Sequence, residues 1–208
     1  MVSLVGRPRN TALDGALVRA AGELIVERGF AGVSVGAIAA RANTTRPAFY
    51  RRFEGVPEVV LSLLLEHFGT ALDQSINTGD LPGDLEAIQR DQIRLFMDPL
   101  VFFSLAGFLE AVRGDEQLRT VFVRKFLVPR RAGVAVVIAR AVGRGEIPPC
   151  PDVEWICDLL TGPVLMRVLM PGLNGLDESL IVQSVASVLS ALGYSTPTGG
   201  IEDHGLSH

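Results

Sequence analysis

Apolar residues recur at helical spacing along almost the whole chain. Leu13, Ala16, Leu17, Ala20, Ala21, Leu24 and Ile25 keep that period and predict a first helix from about Thr11 to Arg28, with Gly29 stopping it just past its C-cap. Val35, Ile38, Ala39 and Ala42 fall at i, i+3, i+4 and i+7 and predict a second, shorter helix. Ser34 is its N-cap, a hydroxyl able to accept from a free N–H of the first turn. Asn43 stands where the chain must reverse, and asparagine tolerates the left-handed conformation better than any residue but glycine. Thr45 can cap a third helix with Pro47 in its first turn, where a missing N–H costs nothing. Phe49 and Phe53, four apart, face inward together and leave Arg46, Tyr50, Arg51 and Arg52 on other faces.

The same period continues to the end. A fourth helix is expected from Gly55 to about Asn77, with Val59, Val60, Leu63, Leu64, Phe68, Ala71 and Leu72 on one side. Thr78-Gly79-Asp80-Leu81-Pro82-Gly83 reads as a loop. Helices are expected over 84–97 and 100–112, divided at Asp98-Pro99, and over 116–143, where Pro129 should cause a kink or break. A proline-rich loop over 145–152 precedes two last helices, 153–170 and 178–192. Residues 195–208 are polar, rich in glycine and histidine, and expected to be disordered. No strand pattern and no internal repeat is visible, so the fold class is all-α, with about nine helices.

Composition sharpens this. Of 208 residues 48% are hydrophobic, enough for a sizeable core. No uninterrupted apolar run approaches the roughly 18 residues of a spanning helix. The N-terminus is polar, with Arg7-Pro8-Arg9 and no apolar segment behind it, as expected of a cytoplasmic protein. The net charge of −4 hides an asymmetry: residues 1–53 hold eight arginines against three acids, a balance of +5, which leaves −9 for the remainder. A basic head on an acidic body suits a protein whose first quarter meets phosphates. Lys125 is the only lysine, and such an arginine bias also reflects a GC-rich genome. Cys150 and Cys157 lack zinc-ligand spacing and read as buried or incidental thiols, with a redox switch as the alternative.

Ser34 to Phe53 has the plan of a DNA-binding helix-turn-helix: an apolar seam behind, a cationic helix in front. Beyond the motif, Arg7 to Leu64 resembles the N-terminal domain of the TetR family of bacterial transcriptional regulators. Three features carry the resemblance: Glu27-Arg28-Gly29-Phe30 closing the first helix, Ala42-Asn43-Thr44-Thr45 at the turn, and Phe49-Tyr50-Arg51-Arg52-Phe53 closing the recognition helix before a new one opens near Pro57-Glu58. The family usually has glycine where Asn43 stands and a small residue where Pro47 stands. Arg144-Gly145-Glu146-Ile147-Pro148 also looks like the lead into the last helix pair of one TetR C-terminal subgroup.

The resemblance implies a three-helix DNA-binding head over 1–54, a helical ligand-sensing and dimerisation body over 55–194 and a tail over 195–208. A dimer would set two recognition helices in successive major grooves, about 34–36 Å apart, on an inverted-repeat DNA operator. Within each half Arg7 and Arg9 form a basic arm for phosphates or a minor groove. Ser34 is placed for a phosphate. Thr45, Arg46, Pro47 and Arg51 are expected at base edges, and Tyr50 and Arg52 at phosphates. Each arginine has the alternative of a solvated surface position.

Trp155 to Leu169 is apolar on nearly every face, and Leu180, Ile181, Val185, Val188, Leu189 and Leu192 form a stripe on the final helix. A helix apolar all round must be buried all round. A second copy is the natural cover, giving a homodimer through helices 153–170 and 178–192, with an intrachain core as the alternative. The body resembles a ligand-sensing domain of that family, and the resemblance implies Phe68, Arg94, Phe96, Met97, Phe103, Phe108, Trp155 and Met166 as candidate residues of a pocket for a small apolar or aromatic ligand. Phe102, Phe122 and Phe126 fall on the same helices, each apolar residue has plain core as its alternative, and Arg94, Glu110 and Arg113 either supply polar contacts to the pocket or pair with each other at the surface. The resemblance implies a repressor released by its ligand, with an activator also compatible. No enzyme is expected: His67, His204 and His208 form neither a ligand pair nor a triad, and no cofactor motif is present. A helical adaptor that binds protein is the remaining class.

Overall fold

The structure, a computed structural model, describes residues 11–69, 76–149, 152–170, 172, 173 and 175–195. Among these there is no strand. The chain forms α1 (Thr11–Arg28), α2 (Val35–Arg41), α3 (Arg46–Tyr50), α4 (Val56–Phe68), α5 (Leu81–Met97), α6 (Pro99–Gly114), α7 (Glu116–Phe122), α8 (Val128–Gly143), α9 (Val153–Leu169) and α10 (Glu178–Ala191). A π-helical segment, Val123–Leu127, joins α7 to α8 without leaving helical backbone, so these form one rod and the described residues hold nine. The disruption expected at Pro129 takes the form of a widened turn just upstream, and the helical backbone is not broken. Proline has no N–H for the carbonyl four residues earlier and its ring clashes with it; a wide turn just upstream absorbs both.

Most ends are where the hydrophobic period put them. Two differ. α4 ends at Phe68, followed by Gly69 at φ 66°; the expected continuation toward Asn77 runs into residues 70–75, outside the described set. α5 starts at Leu81, three residues before the expected Asp84, because Asp80 caps it by accepting from Gly83 N at 2.8 Å and Pro82 occupies its first turn. Aspartates cap five body helices this way: Asp80, Asp98, Asp115, Asp152 and Asp177 each accept from a first-turn N–H of α5, α6, α7, α9 and α10. Part of the acidity of the body is thus helix initiation.

Three hydrophobic clusters hold the chain together. The first joins Leu17, Leu24, Ile38, Phe49 and Phe53 to Val59 of α4. The second packs Ile25 of α1 and Val60, Leu61 and Leu64 of α4 against Leu95, Val101, Phe108, Leu118, Phe122 and Phe126. The third lies among α5, α8, α9 and α10. α4 is thus a wall shared by the first two. A second joint lies beside it: the ring of Phe30, just after α1, rests on Gly107 of α6, where a Cβ would meet Phe30 Cδ1 at 2.3 Å.

The segment 144–148 has a structural role. Glu146 Oε2 accepts from Leu81 N at 2.7 Å, capping α5 from across the body, and Arg144 bonds Glu146 Oε1. The buried Asp84 accepts from Thr78 N at 2.7 Å and Thr78 Oγ1 at 3.0 Å, with Arg144 at 3.6 Å. Deeper in, Gln89 Nε2 donates to Leu160 O at 2.9 Å and Ser184 Oγ at 2.8 Å, tying α5 to α9 and α10. No single helix among the described residues is long and apolar enough to cross a membrane; α5 and α6 bend by 81° at Asp98.

Candidate nucleic-acid interface and body cavity

α2 and α3 meet as the sequence implies. Ser34 Oγ accepts from Ala37 N at 3.2 Å, and Thr45 Oγ1 from Ala48 N at 3.3 Å. Asn43 takes φ 50°, the one non-glycine residue described with positive φ. Phe49 is fully buried and Phe53 nearly so. The opposite side of α3 carries Arg46, Pro47, Tyr50 and Arg51, all exposed.

The three acids of the head sort its arginines. Arg41 donates to Glu23 at 3.0 Å and to both oxygens of Glu27 at 2.9 Å. Its bond holds the Glu27 carboxyl below the usual carboxylate range, slight desolvation acting in the opposite sense. Arg28 lies 3.9 Å from Glu27. Arg52 donates through Nε to Asp14 and at 3.0 Å to the Ala48 carbonyl. The Arg52 guanidinium, expected at a phosphate, is half-buried and pins α3 to α1. The guanidinium groups of Arg19, Arg46 and Arg51 are left with no hydrogen bond or ion pair among the described residues. The Arg46 guanidinium leans on Gly36 of α2, where a Cβ would meet its Nη2 at 2.6 Å. Arg7 and Arg9 lie outside the described residues.

The body holds a cavity of about 370 Å³ between α4, α5, α6, the π segment and α9. Phe96, Phe108, Phe122 and Phe126 form its aromatic wall with several leucines, and Arg131, Asp158 and Thr161 supply the polar groups. Arg131 donates to Glu154 Oε2 at 2.5 Å and to Asp158. Burial opposes its charge, but the Asp158 bond and the two carboxylates outweigh this and raise its pKa. The candidate ligand residues divide. Phe96 and Phe108 line the cavity. Phe68 packs at the edge of the second cluster rather than on the lining. Arg94, 77% exposed, pairs with Asp91 on the surface. Met97, Phe103, Trp155 and Met166 are each about half exposed or more and do not line this cavity. Glu110 and Arg113 are exposed as well.

Residues 76–188 match the tetracyclin repressor-like C-terminal domain, and residues 17–59 the bacterial regulatory proteins of the tetR family. The chain belongs to the TetR family. It is a DNA-binding transcriptional regulator of that type. Over 202 residues it is 28% identical to the helix-turn-helix-type transcriptional regulator YdeS of Bacillus subtilis, covering 95% of this chain and 98% of that one. It is 27% identical to the DNA-binding transcriptional repressor TetR of Mycobacteroides abscessus over 88% of this chain and 95% of that protein. Among solved structures, FadR of Bacillus subtilis in complex with stearoyl-CoA superposes with a TM-score of 0.61 at 21% identity, over 86% of this chain and 96% of that one. In this TetR-family chain the polar lining was missed from sequence. The available signal was Glu154 and Asp158, two acids four apart in the first half of a mostly apolar helix, facing Arg131.

Proposed function

We propose that the protein is a cytoplasmic homodimeric repressor that binds an inverted-repeat operator and is released by a small apolar or aromatic ligand in the body cavity. The observation that carries the DNA contact is the sorting of head charge: the acids neutralise Arg41, Arg28 and Arg52, and Arg46 and Arg51 remain free on the outer side of α3. Arg46 and Arg51, with Thr45 and Pro47, meet base edges, where a guanidinium can grip guanine bidentately. Tyr50 and Ser34 meet phosphates, and Arg7 and Arg9 act as a basic arm.

The dimer reading is supported by exposure on the last two helices. α9 buries Ile156, Cys157, Leu160 and Val164 in its own chain yet leaves Trp155 and Met166 55% exposed, and α10 leaves Val182 56% exposed beside Ala186. Exposed large apolar side chains on two adjoining helices mark an association surface. Ligand in the cavity would favour one body conformation and with it one spacing of the two heads.

The test is a fluorescence-anisotropy titration of a DNA fragment from upstream of the protein's own gene, at several salt concentrations. Affinity should fall steeply with salt, as for any protein that displaces counterions from phosphates. Arg46→Ala and Arg51→Ala should each fold normally and weaken binding by about 1–3 kcal/mol. Full sequence-specific affinity in both variants would mean that α3 is not the reading helix.

A further inference from the structure

The last turn of α4 meets two polar side chains from the body: Asp98, 3.3 Å from His67 Nε2, and Arg130, which reaches the backbone itself. The last carbonyls of a helix have no partner within it, and Gly69 turns the chain away immediately after Phe68. Arg130 of α8 supplies the missing donor, giving an N–H to Phe68 O at 3.0 Å. Its guanidinium carbon lies over the ring of Phe126, 4.6 Å from the centroid. Phe126 is a wall of the cavity. It stacks on Phe122 at 5.6 Å, and Phe122 meets Phe108 edge-on at 5.2 Å, both also cavity walls. Packed groups therefore run without a gap from the cavity to the last turn of the helix that joins head to body.

Two properties suit this route to switching. Arg130 is poorly satisfied: its Nε is buried without a partner, and burial, opposed by Asp91, lowers the pKa of the guanidinium. Such a group gives up its position more readily than one with every donor bonded. Phe126 also stands inside the π segment Val123–Leu127. A π turn carries one residue more than an α turn, so a change of register there would swing Phe126 by about 100° around the rod. That is a discrete two-state element rather than a gradual deformation.

We propose that Arg130 is the positioning residue that reports cavity occupancy to α4: it clamps the Phe68 carbonyl while Phe126 stands beneath it, and releases it when an occupant displaces that ring. This rests on the reading of the cavity as a ligand site. Deleting the guanidinium should therefore break the link between cavity and operator while leaving the cavity itself in place.

The experiment is a double-mutant cycle on operator affinity in the full chain, with Leu109→Trp, on the α6 wall of the cavity, standing in for an occupant. Operator dissociation constants are measured for the wild type, Leu109→Trp, Arg130→Met and the double variant, with circular dichroism melts to establish folding. Leu109→Trp should weaken operator binding about tenfold in the wild-type background and less than about twofold in the Arg130→Met background. Equal weakening in both backgrounds overturns the Arg130 route and leaves the cavity reading standing. No weakening by Leu109→Trp in a folded wild-type background overturns the cavity reading and the route together. Arg130→Lys provides a second arm should Arg130→Met not fold. Its ammonium can reach the carbonyl but cannot lie flat on the ring, so operator affinity should stay near wild type while the effect of Leu109→Trp is lost; persistence of that effect overturns the route.

Discussion

Asp14, Glu23 and Glu27 determine which arginines of the head remain available. Arg52 neighbours Arg51 in sequence, and helical periodicity placed both away from the core; the contact that separates them comes from Asp14, 38 residues earlier. No local pattern encodes that pairing, whereas Ser34, Asn43, Thr45, Phe49 and Phe53 act through their own turns and were legible. Arg52→Ala should accordingly behave unlike Arg46→Ala. It should lower the stability of the head by about 1–2 kcal/mol, read as a drop in Tm, while the salt dependence of operator binding keeps its slope. Glu27 gives a pH expectation. Its folded carboxyl is held low by Arg41, so the stabilisation is present above the ordinary carboxylate range and is lost as pH falls through it. Melts at decreasing pH should show this acid sensitivity, reduced in Arg41→Ala. Burial pushes the Cys157 thiol up to about 11, so little thiolate exists near neutrality. A thiol reagent should label Cys157 only when the chain unfolds.

Elements were legible where the apolar period and a stop signal coincide. α1 ends at Gly29 for the reason glycine usually ends helices, and α9 and α10 keep their expected limits within a residue. The start of α5 was missed because Leu81-Pro82-Gly83 has the composition of a turn. Its meaning depends on Asp80 as a cap and on Glu146, 65 residues away, which takes the Leu81 N–H. Asp80→Ala should cost about 1 kcal/mol, a fall in Tm of about 2–4 °C for a domain of this size. A larger fall would mean that the Thr78–Asp84 contact fails with it. The π segment was not legible either. Pro129 announces a disturbance, but whether a helix bends, breaks or widens depends on what packs around it.

Across the whole molecule, periodicity tells which face of a helix is apolar. It does not tell whether that face meets its own chain, a second copy or an internal space. That is why Phe96 and Phe108 reached the cavity while Trp155 and Met166, on a helix equally apolar by sequence, stand on the outer surface. The proposed dimer face follows from the latter. Met166→Glu or Val182→Glu should give a folded monomer by light scattering and lose operator binding, because one head alone makes only half of the contacts. A dimer that survives both substitutions would put the association surface elsewhere. The seat of Phe30 on Gly107 has a further consequence for how such regulators can be recombined. A phenyl ring occupies the space that any side chain at position 107 would need, so the two halves are keyed to each other like a tenon and its mortise. A DNA-reading module borrowed from a relative will seat on this body only if donor and host agree about who supplies the ring and who supplies the notch.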